Sequence, residues 1–508
     1  MEIEQQKIMK KLLLSILALT LSAGMWAQTQ TQKQTVSYLY PVYNTPDDPK
    51  SGIKEWKEGS VEATVIATDV ILKAGWYVVL GNDVKTRGMT CSGDVHLILA
   101  DGAKLTTNVV GASTGPGLTV RKGDGSLTIY GQAAQSGQLI AKGTGGNCPG
   151  IGGAGKKNGK ITINGGIIEA TGNSAGNGAA GIGGGGDGGS ADDNSGSDIT
   201  INGGIVTATA AYRGAGIGGG YLGSGSNITI NGGTVTAYGG TRGAGIGGGW
   251  NAEGFGITIN GGTVTAIGKG DSDCAGAGIG GGEGRSGHDI TINGGIVIAS
   301  GCWVDEHKRN SDGIGCGDGG NLTSTNIKVT STHEVKADNN NPPSTMIEND
   351  GSEDLAGKLK GQRYVTITPS LETEKVYAIA AINAKLEEID NDNIKGIATI
   401  AIASINAATS VAEVNAIKTQ ALSNIASAQG AYYDGKAAGY EDGKAEGLEE
   451  GKAEGKAEGL EEGKADAFHG MDPPPLTDCP AVKVTKGDKE VILYAPDAVE
   501  MIKVHANK

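Results

Sequence analysis

Short runs in which β-branched residues alternate with other residues recur through the middle of the chain. The string Ile-Thr-Ile-Asn-Gly-Gly occurs five times, and each copy is followed by a second alternating run such as Thr-Val-Thr-Ala. A Gly-Ile-Gly element recurs with the same period. A period of about 30 residues with two or three short β-runs predicts a solenoid. The asparagines of the string are Asn164, Asn202, Asn231, Asn260 and Asn293, and the Gly-Ile-Gly isoleucines are Ile151, Ile182, Ile217, Ile246, Ile279 and Ile314.

The length and composition of the runs indicate which kind of solenoid the chain forms. Each run is short and β-branched at alternate positions, which is typical of a strand with one buried face. No helical segment separates the runs, and Asn-Gly-Gly supplies the left-handed backbone that a sharp corner needs. We therefore predict a mainly β protein in which residues 61–335 form a right-handed parallel β-helix. Coils stacked about 4.8 Å apart would place the five asparagines in an internal ladder.

The pattern changes in the C-terminal third, where glycine becomes rare after about residue 371 and alanine becomes common. Apolar residues then recur every three to four positions, which predicts a three-helix spacer over 371–429. Ser410 and Glu413 have the spacing of a capping box for the third helix. Near the end of the chain, Val482-Lys483-Val484 and the apolar run 491–495 flank a turn at 486–488, which predicts a small β element within 471–508.

Between the spacer and the β element, every fourth residue from Gly435 to Gly463 is glycine. In a helix these glycines would form one stripe, against which a second helix could pack closely as in a coiled coil. Eight interior glycines would cost such a helix about 8 kcal/mol relative to alanine. We therefore favour a solvated, partly helical stalk, and oligomerisation through the stripe is the alternative.

The N-terminus has the pattern of a secretory signal peptide. A basic start at Lys10 and Lys11 precedes a short apolar run, and small residues follow up to Ala27. The alternative is a membrane anchor, but the apolar run is too short to span a bilayer. We expect a secreted or cell-surface protein without a transmembrane anchor. The whole chain divides into a signal peptide (1–27), an N-terminal linker (28–60), the β-helix (61–335), a linker with a closing strand (336–370), the helical spacer (371–429), a Gly/Lys/Glu-rich stalk (430–470) and a C-terminal β tail (471–508).

Composition and charge narrow the possible functions. The chain has 508 residues, of which 90 are glycine, and its formal net charge of -14 argues against nucleic-acid binding. Six cysteines in an exported chain permit disulfides, and sequence proximity favours a bond between Cys302 and either Cys274 or Cys316.

One pair of aromatic residues falls in register on successive coils. Tyr221 and Trp250 each lie four residues after a Gly-Ile-Gly isoleucine, and Glu283 takes the same place on the next coil. Stacked aromatic faces at a rigid corner suit sugar rings. Arg213 and Arg242 lie four residues before the isoleucines and could hold the carboxylate of an acidic sugar. The alternative is ordinary stacking within a solenoid, without any ligand.

The Ile-Thr-Ile-Asn-Gly-Gly and Gly-Ala-Gly-Ile-Gly-Gly-Gly strings resemble the repeats of exported bacterial surface proteins labelled as carbohydrate-binding-domain proteins. The resemblance covers roughly residues 61–335. It implies a right-handed β-helix that binds acidic plant polysaccharide, in some members with calcium. We expect a polysaccharide or a host glycan as the partner.

Motifs for catalysis and for metal binding are missing from the sequence. Enzymes built on a β-helix need carboxylates clustered on one face of neighbouring coils. Here acidic residues such as Asp192, Asp198 and Asp289 lie mainly in variable inserts and do not recur in register. We expect no catalytic residues, no metal site and no cofactor, with calcium as a weak alternative. The expected function is a non-catalytic, adhesin-like binding protein; a polysaccharide lyase or hydrolase is the alternative.

Overall fold

The computed structural model describes residues 32–67, 71–108, 114–153, 155, 157–173, 176–186, 190–268, 276–304, 309–321, 326–386 and 391–433, together with the strands at 482–486 and 489–493. The predicted signal peptide and the glycine repeat from Gly435 lie outside the described residues. By its internal contacts the chain divides into two compact units, Met1–Leu422 and Ser423–Lys508.

The first unit is mainly β, and the strands of its repeat coils are short because each coil of the solenoid must turn three times. The strands are β1 Lys33–Thr45, β2 Asp48–Val65, β3 Ile71–Val79, β4 Val84–Lys85, β5 Met89–Leu99, β6 Lys104–Thr106, β7 Leu118–Thr119, β8 Gly125–Tyr130, β9 Gln138–Lys142, β10 Ile151–Gly152, β11 Ile161–Ile163, β12 Ile167–Thr171, β13 Ile182–Gly183, β14 Gly196–Ile201, β15 Ile205–Thr209, β16 Ile217–Gly218, β17 Gly225–Ile230, β18 Thr234–Tyr238, β19 Ile246–Gly247, β20 Gly254–Ile259, β21 Thr263–Ile267, β22 Ile279–Gly280, β23 Gly287–Ile292, β24 Ile296–Ser300, β25 Trp303–Val304, β26 Arg309–Asn310, β27 Ile314–Gly315, β28 Ile327–Val329, β29 His333–Asp338, β30 Met346–Ile347 and β31 Tyr364–Pro369. The second unit contains β32 Val482–Lys486 and β33 Lys489–Leu493.

Each repeat coil contributes three strands, and the equivalent strands of successive coils pair in parallel. Ile182 of the Gly-Ile-Gly strand pairs with Ile217, and Ile199 of the Ile-Thr-Ile strand pairs with Ile228. On the third face Val206 pairs with Val235. The inward side chains of all three faces are fully buried and form continuous columns along the axis. The predicted parallel β-helix is confirmed.

Glycine in the Gly-Ile-Gly strand is required by the stacking itself. Gly218 has φ of +131°, and a Cβ atom added there would lie 2.1 Å from the carbonyl oxygen of Gly247 on the next coil. Gly183 and Gly247 meet the same obstacle, at 2.1 and 2.0 Å. No side chain fits between coils at this position, because backbone packs directly on backbone.

The predicted asparagine ladder is also confirmed. The side-chain amide nitrogen (Nδ2) of Asn202 donates to the amide oxygen (Oδ1) of Asn164 at 2.7 Å. The same bond links Asn231 to Asn202 at 2.8 Å, Asn260 to Asn231 at 2.7 Å and Asn293 to Asn260 at 2.8 Å. The ladder satisfies amides that the coil buries, as buried polar groups require.

The expected N-terminal linker at 28–60 is wrong for most of its length. Strands β1 and β2 pair antiparallel over Lys33–Thr64 and form a long hairpin whose turn contains Asp47 at φ of +60°. The hairpin contacts the solenoid at the asparagine corner, where Asn202 donates to the Tyr43 hydroxyl at 2.8 Å. In β1, Val36 is buried in the core, and the partly buried Tyr38 and Tyr40 pack against that core.

The C-terminal end of the β-helix is closed by antiparallel strands. The predicted closing strand is present as β31, which pairs with the last strand of the third face, Val297 opposite Ile367, and with β29. A short helix, Ala356–Leu359, packs its Leu359 side chain into the core. Paired closing strands cover the open edge that the last coil would otherwise expose.

Asp312 links this closing segment to the last coil. Its position is two residues before the Gly-Ile-Gly isoleucine, where the preceding coils have alanine, as at Ala277. The buried Asp312 carboxylate accepts hydrogen bonds from the backbone N–H of Gly361 at 2.7 Å and of Cys316 at 2.8 Å. Burial raises the pKa of Asp312 to about 6.

Cys302 forms a disulfide, whereas Cys316 is a free, buried thiol whose pKa burial raises to about 12. Pairing of Cys302 with Cys316 is therefore wrong, and Cys274 lies outside the described residues.

Helices follow the β-helix, as predicted. They span Leu371–Leu386, Asp392–Ala407 and 411–433. The Ser410 hydroxyl accepts the N–H of Glu413 at 3.2 Å, while the Glu413 carboxylate takes the N–H of Thr409. No helix among the described residues is long and apolar enough to cross a bilayer.

Candidate functional site

The predicted aromatic pair lies at one corner of the β-helix. Tyr221 and Trp250 follow Ile217 and Ile246, which are register partners on successive coils. Their ring centroids are 5.2 Å apart and the ring planes differ by 18°, so the two rings stack. Both side chains are partly exposed. The predicted stacking is confirmed, and we call this group, with Arg213 and Arg242, the aromatic corner.

The backbone beneath the aromatic corner is tightly packed. A Cβ atom added to Gly249 would lie 1.9 Å from the carbonyl oxygen of Gly220, one coil away. The backbone N–H of Trp250 donates to the carbonyl oxygen of Arg213 at 2.8 Å. The backbone that carries the two rings is therefore held by contacts with the neighbouring coils.

Arg213 lies against the aromatic rings. Its guanidinium carbon (Cζ) is 4.6 Å from the ring centroid of Tyr212, 4.8 Å from that of Trp250 and 5.3 Å from that of Tyr221. These are cation–π distances. Within the described residues the guanidinium has long contacts, 3.4 Å to Asn177 and 3.5 Å to the Tyr212 hydroxyl, and no carboxylate within 4.0 Å. Its positive charge is therefore not compensated by an ion pair among those residues.

Arg242 is in a different electrostatic position. Its Nη1 atom lies 3.2 Å from the Oε2 atom of Glu283, and these side chains are only 20% and 17% exposed. The Glu283 N–H also donates to the Arg242 carbonyl oxygen at 2.9 Å. Glu283 thus compensates the charge of Arg242 within the protein. Sequence counting placed Glu283 in the column of Tyr221 and Trp250 but did not indicate this ion pair.

A second in-register group was missed by the sequence reasoning. Phe255 and His288 pair on successive coils, and their rings stack with centroids 5.1 Å apart. The imidazole Nδ1 of His288 is 2.9 Å from Asp289, and its Nε2 is 3.7 Å from Glu253. The hydrogen bond with His288 lowers the pKa of Asp289. The repeat itself could have indicated this column, because Phe255 and His288 each lie two positions before the first isoleucine of an Ile-Thr-Ile-Asn-Gly-Gly string.

A third group surrounds His96 near the N-terminal coils. The His96 ring stacks on Trp76 with centroids 4.3 Å apart, and its Nδ1 is 2.9 Å from the Tyr130 hydroxyl. Tyr38 of the hairpin covers Trp76 and Tyr130, and burial raises the pKa of Tyr130. These rings hold the hairpin against the β-helix. In the parts of the chain that the structure describes, no group of three or more His, Cys, Asp or Glu residues is placed to hold a metal ion.

The fold and the stacked columns define a parallel β-helix repeat protein. A family model described as "Beta helix repeat" matches residues 161–186, 199–221, 228–250, 257–283 and 290–318. These segments cover the five Ile-Thr-Ile copies, and the matches also include both aromatic residues of the corner. No curated protein and no solved structure shows a significant match.

Proposed function

We propose that the chain is a non-catalytic, exported or cell-surface β-helix protein that binds an acidic glycan, in the manner of an adhesin. The observation that carries the proposal is Arg213, an arginine without an ion pair among the described residues, set against Tyr221 and Trp250. Aromatic faces take the C–H groups of a sugar ring, and a guanidinium takes a carboxylate in a bidentate bond. The signal-peptide pattern at residues 1–27 supports export.

The two arginines of the aromatic corner have different roles in this proposal. Arg213 supplies the charge that recognises a uronate carboxylate, because it has no acidic partner among the described residues. Arg242 holds Glu283, and that ion pair borders the aromatic stack, since Arg242 lies 5.9 Å from the Trp250 ring centroid. The net charge of -14 makes a specific cation necessary, because the protein as a whole repels anions.

The alternative function is a polysaccharide lyase or hydrolase. His288 with Asp289 and Glu253 is the group that favours it, because an imidazole between two carboxylates can transfer protons. Incubation with pectin-like and other acidic polysaccharides tests this alternative. Release of reducing or unsaturated ends that His288→Ala abolishes would establish an enzyme and refute the non-catalytic proposal.

Binding is tested on a glycan array with the full chain, comparing the natural protein with Trp250→Ala. We expect signal on uronate-containing glycans and a roughly tenfold weaker affinity in the variant, since one stacking platform contributes about 1–2 kcal/mol. Ile205→Ala is the matched control, because Ile205 is 51% exposed on another face. Equal binding by all three proteins, or no acidic glycan bound, would refute the proposal.

A further inference from the structure

A cavity lies between the tip of the N-terminal hairpin and the asparagine ladder. It has a volume of about 380 Å³ and is lined by hairpin residues that include Lys50 and Ile53, and by Asn231, Asn260 and Asn293. Small-molecule sites range over about 300–1,000 Å³, so the cavity has room for one small ring. We propose that it binds a single sugar ring that carries a carboxylate. This is a second site, and it shares no residue with the aromatic corner.

The hydrogen bonds of the ladder show which donors face the cavity. Every asparagine amide has two N–H groups. Asn202 and Asn260 use both, one to the preceding ladder oxygen and the other to the hairpin, at the Tyr43 hydroxyl and at the carbonyl oxygen of Lys50. The amide nitrogens of Asn231 and Asn293 each donate to the ladder alone within the described part of the chain. Their second N–H groups occupy equivalent places in the coil and remain available to a ligand in the cavity.

The direction of the ladder adds an acceptor at the same place. All four amide–amide bonds run the same way, from each asparagine to the one on the preceding coil. Asn293 is the last donor, so its own Oδ1 accepts from none of the described residues. Aligned hydrogen bonds polarise one another, which strengthens the group at the end of the chain. Two donors and one strengthened acceptor match the hydroxyl groups of a sugar, each of which both donates and accepts.

Lys50 is the charged residue of the cavity lining, since the other lining residues are uncharged. Among the described residues no carboxylate lies within 4.0 Å of its ammonium nitrogen, and the nearby Asp48 carboxylate accepts the backbone N–H of Lys50 at 3.0 Å. A carboxylate on the sugar ring would pair with this ammonium group, whereas a neutral sugar would use only the amide donors and the amide acceptor.

The test uses titrations of the full chain with D-glucuronate and with D-glucose, followed by NMR. Ile53→Trp places a bulky ring in the cavity and should weaken glucuronate binding at least tenfold. Ile205→Trp makes the same change on an exposed strand and should leave binding unchanged. Lys50→Ala should weaken glucuronate binding about two- to fivefold, as expected for an exposed ion pair, and should leave glucose binding as it is.

Trp250→Ala separates this site from the aromatic corner. If glucuronate binding survives Trp250→Ala and falls with Ile53→Trp, the cavity is a site of its own, whether or not the corner binds glycan. The proposal is overturned if Trp250→Ala removes binding while Ile53→Trp does not, or if the natural protein binds no glucuronate at about 10 mM. If Ile53→Trp fails to fold, Lys50→Ala takes its place as the variant that should weaken glucuronate binding in the cavity.

Discussion

The asparagine corner and the aromatic corner are both columns of in-register side chains, but they differ in how far the column repeats. Asparagine is repeated on five coils, and each amide finds its partner in the next amide. The aromatic column changes from Tyr221 to Trp250 and then to Glu283, and Arg213 has no ion-pair partner among the described residues. A column that repeats without change is explained by packing and hydrogen bonding of the coil. A column whose residues change needs a second explanation, either a contact with another part of the chain or a ligand.

The same contrast holds for the alanine column, which ends at Asp312. There the change of residue serves the fold, because the Asp312 carboxylate binds the backbone of the closing segment. Changed positions are therefore of two kinds, those that join the β-helix to other parts of the chain and those without such a partner among the described residues. Arg213 in the aromatic corner is of the second kind, and the predictions below test this division in order of expected effect.

We expect the largest effect on stability from a change in the glycine column, where the backbones of neighbouring coils are in direct contact. Gly218→Ala would place a Cβ atom 2.1 Å from the Gly247 carbonyl oxygen at φ of +131°, so the coils must separate. We expect a loss of about 4 kcal/mol or more in the free energy of unfolding, measured by denaturant titration. Gly115→Ala is the control, because beyond its two chain neighbours none of the described residues has an atom within 4 Å of a Cβ atom there. Similar stability of the two variants would refute the packing explanation of the glycines.

The next effect concerns the pH dependence of stability at Asp312. Its pKa is about 6 in the folded chain against an ordinary 3.8, so folding favours the protonated form. This contribution is complete below about pH 4 and is lost as the pH rises through 6, by up to about 3 kcal/mol. Urea titrations from pH 4 to 8 should show natural-protein stability falling relative to Asp312→Asn. Parallel pH profiles would show that Asp312 does not titrate in this way.

A smaller effect compares a core residue with the aromatic corner. Val235→Ala removes buried methyl groups from the inner column and should lower the free energy of unfolding by about 2 kcal/mol. Trp250→Ala removes a partly exposed ring at a corner and should cost less than about 1 kcal/mol. Thermal melts of both variants give the comparison. A melting temperature lowered equally by the two changes would identify Trp250 as a packing residue and remove the structural basis of the proposed function.

The β-helix and its asparagine ladder could be predicted from the sequence because the repeat places equivalent residues at the same position in every coil. Asn202 and Asn231 have the same neighbours in sequence, so their stacking follows from the period alone. The hairpin was not predictable in this way, because Tyr43 and Lys50 meet Asn202 and Asn260 across separations of 159 and 210 residues. Nothing in the local pattern of residues 33–65 indicates where along the solenoid they bind.

The aromatic corner was predicted in part for the same reason. The stacking of Tyr221 on Trp250 could be predicted, since each follows the isoleucine of a Gly-Ile-Gly element at the same distance. The pairing of Arg242 with Glu283 depends on how two long side chains leave their loops, and the period does not determine that. The different charge environments of Arg213 and Arg242 therefore emerge only from the structure.

The most direct test of the central claim compares Arg213→Gln with the double variant Arg242→Gln/Glu283→Gln in calorimetric titrations with an acidic oligosaccharide such as oligogalacturonate. If the guanidinium of Arg213, which has no ion pair among the described residues, recognises the carboxylate, Arg213→Gln should weaken the affinity about tenfold, as expected for a charged hydrogen bond worth about 1.5 kcal/mol. The double variant removes the Arg242–Glu283 ion pair without changing the local net charge, so it should change the affinity less than about twofold. Equal losses in both proteins, or a loss only in the double variant, would contradict the account.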